Sequence, residues 1–362
     1  MFNRILVPLD GSPLAERAIP HAEQFARIFG STIVLLQVLD PISFSENPNP
    51  IDPLNWQIRK AEADMYLQGI TTRIRKNLND LSEYSIPGNS QAKEEIRSRV
   101  EYSIREGRPA ENIINFAHTE GIDLLIICSH GSGGISHWNI SSVTQKVLNL
   151  IYLPVLLVRV DNTPEAEPVN VAYRRILLPI DSSRRAECSL SAAIELARGE
   201  MPQKMASGGE NLPASQPNSG LISQPSKLIL AAVIKPPEIP IPEPYPVEIE
   251  KLSKRMMVIS RQAVTNYLNE MKERLPVECE TCIVENKSVT LAIQELASEE
   301  GDIDLVVLCA HGYTGQSAWP YGTIARNYLE HGTNSVLVIQ DVPNPQGRPN
   351  IADVSSDKYK GR

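Results

Sequence analysis

The chain has 362 residues, about twice the commonest domain size, so two domains are the natural expectation. Hydrophobic residues make up 42% and charged residues 22%, enough apolar side chains for two cores, which excludes wholesale disorder. Lys and Arg total 35 against 43 Asp and Glu, and the formal net charge of -8 excludes the footprint of nonspecific nucleic-acid binding, leaving only a local basic patch open.

The first apolar run, Ile5 to Leu9, reads as a short strand buried on both faces. It is far too short for a secretion-signal core or a membrane span, so the expectation is a cytoplasmic protein with no membrane partner. Asp10 and Ser12 follow as turn and cap signals, and Pro13 suits a first helical position. Ala15, Ala18, Ala22, Phe25 and Ala26 then share one apolar helical face, with Pro20 predicting a kink or an early stop. A second strand is expected from Thr32 to Leu39, and a long polar helix from about Leu54 to Leu81. A third strand is expected near Val100, a helix near Pro109, a fourth strand at Leu124 to Cys128, a helix after the glycine-bearing loop, and a last strand at Val155 to Val160.

The same order then recurs. RILVPLDGSPLAERAIPHAEQFAR from Arg4 realigns at an offset of 171 with RILLPIDSSRRAECSLSAAIELAR from Arg175. IDLLIICSHGSGGISHW from Ile122 realigns at an offset of 181 with IDLVVLCAHGYTGQSAW from Ile303. The second copy should therefore carry strands at Ile176 to Ile180, Leu228 to Ile234, near Val277, Leu305 to Cys309 and Val336 to Ile339. Its helices should include a long one from Val247 to Leu275 and another near Val289. Strands alternating with helices argue for a parallel sheet covered on both faces, once per copy. The last strands of the two copies are expected to pair, because unpaired apolar edges invite strand addition. The expected limits are 1–160 for domain 1, 161–173 for a linker, 174–342 for domain 2 and 343–362 for a loose tail. A Ser-, Pro- and Gly-rich insertion at about 199–226 is too poor in apolar residues to order itself.

Chemistry is expected after each fourth strand, at the carboxyl ends where open parallel sheets hold ligands. The first loop runs Cys128, Ser129, His130, Gly131, then nine residues to Ser141, Ser142 and Val143. The second runs Cys309, Ala310, His311, Gly312, then nine residues to Gly322, Thr323 and Ile324. Glycines admit a phosphate close to the backbone, and unpaired N–H groups at a helix start attract anions. At these residues the chain resembles the tandem members of the universal stress protein family.

That resemblance implies an α/β fold of two tandem domains, each a five-stranded parallel sheet flanked by helices, of the adenine nucleotide alpha hydrolase-like type. It implies dimeric pairing of domains, here an internal pseudo-dimer, with a homodimer of chains left open and protein partners unnamed. In one branch of the family it implies ATP binding through Gly, two residues, Gly, nine residues, Gly, then Ser or Thr. Carried over by position, adenine and ribose would meet Pro8, Asp10 and Val38, or Pro179, Asp181 and Val233. The phosphates of ATP or a related adenine nucleotide, with or without Mg2+, would meet the loop residues quoted above. This chain departs from the pattern in placing Cys128 and Cys309 at the first glycine, where a side chain threatens to crowd the ribose, and Ser141 at the third. Domain 2 keeps Gly312, Gly322 and Thr323 and is expected to bind better, with Gly322 taking positive φ and offering its N–H to phosphate.

Each position also has a plainer reading. Asp10 and Asp181 would serve as helix caps, the loop glycines as turn formers, and the repeated Trp138 and Trp319 as packing rather than base-stacking groups. No nucleophile stands at triad spacing from His130 or His311, so they read as loop hydrogen-bonders, and weak ATP hydrolysis ranks last among the functions. The leading function is a stress-response regulatory module that binds nucleotide. Its alternative is a structural protein that binds none and acts through dimerisation and partner contacts. Five cysteines, an odd number, fit reduced thiols. Cys279 and Cys282 form a CxxC, but on a strand residues three apart face opposite ways, so neither metal nor disulfide is expected there, and the remaining cysteines supply no second pair in sequence.

Overall fold

In the computed structural model the described residues are 1–40, 53–82, 99–134, 140–160, 171–199, 226–242, 244–299, 303–313 and 320–341. The expected insertion, most of the linker, the tail, Trp138 and Trp319 lie outside them. In the first half the strands are β1 (Arg4–Leu9), β2 (Thr32–Leu39), β3 (Val100–Glu106), β4 (Leu124–Cys128) and β5 (Val155–Val158). The second half supplies β6 (Arg175–Pro179), β7 (Lys227–Ile234), β8 (Cys279–Glu285), β9 (Leu305–Cys309) and β10 (Val336–Ile339).

The strands form one ten-stranded sheet in the order β3-β2-β1-β4-β5-β10-β9-β6-β7-β8. Every pairing inside a half is parallel, as the continuous apolar strands require. The seam is antiparallel: Leu157 faces Val336, Leu156 faces Leu337 and Val155 faces Val338. This is the expected pairing of last strands, and antiparallel contact between like strands is what an approximate twofold relation of the halves produces. The pleat divides the core into two layers. Ile5, Val7, Leu124, Ile126, Ile176 and Leu305 pack on one face, and Leu6, Leu125, Leu177 and Val306 on the other.

Helices cover both faces. The first half carries α1 (Pro13–Glu16), α2 (Ala18–Phe29), α3 (Pro53–Ser82), α4 (Pro109–Thr119) and α5 (Ser142–Leu150). The second carries a 3-10 turn (Ala186–Ser189), then α6 (Leu190–Arg198), α7 (Val247–Arg274), α8 (Val289–Glu299) and α9 (Thr323–His331). The early stop expected from Pro20 falls at Glu16, four residues before it, whose carbonyl a proline ring displaces. The chain restarts after Arg17, and Pro20 sits in the first turn of α2, where its missing N–H would have had no helical acceptor. No helix among the described residues is long and apolar enough to cross a membrane.

Candidate functional site

With the order 3-2-1-4-5, β1 and β4 are neighbours whose onward connections leave in opposite directions, which opens a crevice at their carboxyl ends. Asp10 stands at the end of β1 and the Gly131 loop at the end of β4. One Asp10 carboxylate oxygen accepts the Ser12 amide at 3.0 Å and the Ser12 hydroxyl at 2.6 Å, and the other accepts the Ser132 amide at 2.6 Å. Burial opposes ionisation of Asp10, but these hydrogen bonds outweigh it and hold the carboxyl below the usual carboxylate range. A Cβ at Gly131 would collide with this carboxylate, so the glycine is required for the close approach.

The second half repeats the clasp. Asp181 accepts the Ser183 amide at 3.1 Å and the Tyr313 amide at 2.7 Å, and a Cβ at Gly312 would strike it. In both halves the helix cap is another residue: Ser12 accepts the Ala15 amide at 3.2 Å, and Ser183 the Ala186 amide at 3.1 Å. Asp10 and Asp181 are therefore not simple helix caps. Each ties the loop after the first strand of its half to the glycine loop after the fourth.

The expectation for Gly322 needs correction. Its φ is -71° and ψ 171°, close to the -67° and 156° of Ser141, so no left-handed conformation demands a glycine. Its N–H is also engaged, donating to the Ala310 carbonyl at 2.7 Å, as the Ser141 amide donates to Ser129. The halves differ one step later. Ser141 Oγ accepts the Thr144 amide at 3.2 Å and occupies one first-turn donor of α5, whereas Gly322 has no side chain with which to cap α9. Ser142, Thr323 and Ile324 are exposed at these helix starts, with Val143 half-buried.

The cysteines do not point where the sequence suggested. Cys128 is buried in the layer of Ile126 and Val7, while Val38 packs against the opposite layer, the side that strand alternation also gives Pro8. Pro179 and Val233 likewise share one side, and Cys309 falls on the other with Leu305 and Val307. The Cys128 thiol lies 3.5 Å from the Ala15 carbonyl, and the Cys309 thiol 3.1 Å from that of Arg185. Both sulfurs thus turn toward the helical turn after the first strand, away from the face of Pro8 and Pro179. Cys279 and Cys282 pack in opposite layers, as the strand period requires.

Three partners were not legible in the sequence. His311 is buried and its Nδ1 lies 2.6 Å from Asp341, just past β10. His130 instead lies 3.1 Å from the Ser129 hydroxyl, because Val160 stands at the repeat position of Asp341. Cys188, in the 3-10 turn, lies 3.2 Å from Cys309. A second cysteine pair therefore exists in space although none is visible in sequence, and only the repeat alignment, which sets Cys188 against Arg17, marks the position as unusual.

Two doubly wound halves, each with an Asp and a glycine loop clasped at its topological switch point, define a tandem α/β protein. The sequence pattern of the universal stress protein family matches residues 1–159 and 223–340, and the chain belongs to that family. Universal stress protein MJ0577 of Methanocaldococcus jannaschii is 26% identical over 163 residues, 45% of this chain and 98% of the relative. Universal stress protein YxiE of Bacillus subtilis is 26% identical over 159 residues, 44% of this chain and 100% of the relative. Each corresponds to about one half of the chain. Among solved structures, a putative universal stress protein from Pseudomonas aeruginosa covers 93% of both chains with TM-score 0.55 at 17% identity. One from Archaeoglobus fulgidus covers 94% of this chain and 100% of its own, with TM-score 0.51 at 17% identity. These likenesses extend the shared fold across both halves.

Proposed function

We propose that the chain is a stress-response regulatory module that binds ATP or a related adenine nucleotide at the strand ends, more tightly in the second half. The repeats it acts through are taken as 1–160 and 174–342. The observation that carries this reading is the conserved geometry of the two clasps within one chain. A carboxylate side chain and a backbone loop are held together at each switch point, with Pro and Val on the adjoining face and a helix start beyond. The second half is favoured because Gly322 leaves the first-turn donors of α9 without a side-chain cap, while Ser141 claims one in α5. Nucleotide would order the glycine loop and so change the surface presented to a partner.

His130 and His311 take hydrogen-bonding roles in this reading. His311 is positioned by Asp341, and His130 lies beside the Ser129 hydroxyl, whose Oγ also accepts the Val160 amide at 3.1 Å. Mass spectrometry of small molecules released from freshly purified protein tests the proposal. An adenine nucleotide retained at up to one equivalent per chain is the expected result. Protein that releases none, and that fails to retain added ATP through gel filtration, points to the alternative of a structural module working through partner contacts.

A further inference from the structure

Cys188 and Cys309 are 121 positions apart in the chain, yet their sulfurs lie 3.2 Å apart. Two elements bring them together. The 3-10 turn Ala186–Ser189 follows the loop after β6, and Cys309 is the last residue of β9, the strand beside β6 in the sheet. The Cys188 amide donates to the Arg185 carbonyl at 3.0 Å, and the Cys309 sulfur lies 3.1 Å from the same oxygen, so one backbone carbonyl adjoins both residues. Both cysteines are half-buried, which leaves them open to a small reagent.

We propose that Cys188 and Cys309 form a thiol–disulfide redox site that interconverts between a dithiol and an intramolecular disulfide. A disulfide needs a sulfur separation near 2.05 Å, so closure asks for a movement of about 1 Å, within the reach of side-chain torsions. The hydrogen bond between the sulfurs holds the Cys188 thiol below its ordinary range and pushes the Cys309 thiol up, which makes Cys188 the attacking group. With glutathione disulfide as oxidant, the Cys188 thiolate attacks one sulfur, forms a mixed disulfide and releases one glutathione thiolate. Cys309 then gives up its proton and attacks the Cys188 sulfur, expelling the second glutathione thiolate. Two protein thiols are oxidised, and one glutathione disulfide is reduced to two glutathiones, which take up the two protons.

The first half is an internal control. Cys128 occupies the repeat position of Cys309, but Arg17 occupies that of Cys188. Cys128 is buried, and burial pushes its thiol up to about 12, which suppresses the thiolate needed for exchange. The proposal needs no nucleotide, so it stands or falls separately from the function assigned above.

The test is equilibration of the folded full chain with glutathione buffers of increasing oxidising ratio, then an acid quench, unfolding in denaturant, alkylation of the remaining thiols and peptide mass mapping. Fully reduced chain takes up five alkyl groups. Oxidised chain should take up two fewer and yield one linked peptide pair containing Cys188 and Cys309, with Cys128 alkylated throughout. The Cys188→Ser and Cys309→Ser variants should each lose that linked pair. Retention of all five thiols at the most oxidising ratio, a stable glutathione adduct on Cys188, or a bridge between Cys279 and Cys282 instead would each overturn the assignment. Because the wild-type map alone distinguishes these results, misfolding of a variant does not blunt the test.

Discussion

Ser182 has φ of 61° at the position where the first half carries Gly11 with φ of 83°. Both sit directly after the clasp aspartate, where the chain must turn back toward the glycine loop. A residue with a Cβ is strained by roughly 1 kcal/mol in this left-handed region, offset in part by the greater freedom that glycine gives the unfolded chain. Ser182→Gly should therefore stabilise the protein by about 0.5 kcal/mol, read as a higher urea midpoint with unchanged slope. A lower midpoint would mean that the serine hydroxyl contributes more than its backbone costs. The aspartates themselves were legible in the sequence because each recurs at the same offset in both copies. Their role was not, since a short-range cap signal and a long-range clasp use the same residue type, and the amides of Ser132 and Tyr313 lie more than a hundred positions away. The same separation hid Cys188 from Cys309, and Asp341 from His311. Side-chain meetings across strands depend on sheet order, which residue spacing does not encode.

At the scale of elements, the strands were the most legible features, because runs such as Leu124–Cys128 and Leu305–Cys309 are apolar without interruption and bounded by turn residues. Pro20 marks the interruption of its helix, but the exact break at Arg17 is not visible in the alanine face, which continues across it while the backbone does not. The seam between the halves depends on more than strand pairing. Arg159, just beyond β5, donates from Nη2 to the carbonyls of Tyr328 at 3.0 Å and Leu329 at 2.6 Å, in the last turn of α9. Burial lowers its pKa to about 10, still charged at neutral pH, and a cation at a helix C-terminus satisfies carbonyls that the helix leaves open. Arg159→Ala should cost about 2 kcal/mol in chemical denaturation, the range for hydrogen bonds made by a charged group. A change below about 0.5 kcal/mol would show that water replaces the guanidinium without loss.

For the whole molecule, one continuous sheet joins two copies of one fold whose candidate sites are alike in their clasp and unlike at the helix start. The pairing of last strands followed from their apolar edges alone, but the asymmetry between the sites took its present form only from the backbone. Gly322 and Ser141 share a conformation, so the distinction rests on the cap that serine supplies and glycine does not. Aspartate is a good N-cap residue, so Gly322→Asp and Ser141→Asp should both leave their helices intact while placing a carboxylate where phosphate would approach. A Cβ at Gly322 would sit 3.2 Å from the Ala310 carbonyl, a contact relieved by a shift of a few tenths of an ångström. The most direct measurement is calorimetric titration of ATP into the wild-type chain and these two variants. The account predicts binding to wild type, at least a tenfold loss in Gly322→Asp and little change in Ser141→Asp. Greater loss in Ser141→Asp would contradict the preference for the second half, and absence of binding heat in wild type at several temperatures would contradict nucleotide binding itself.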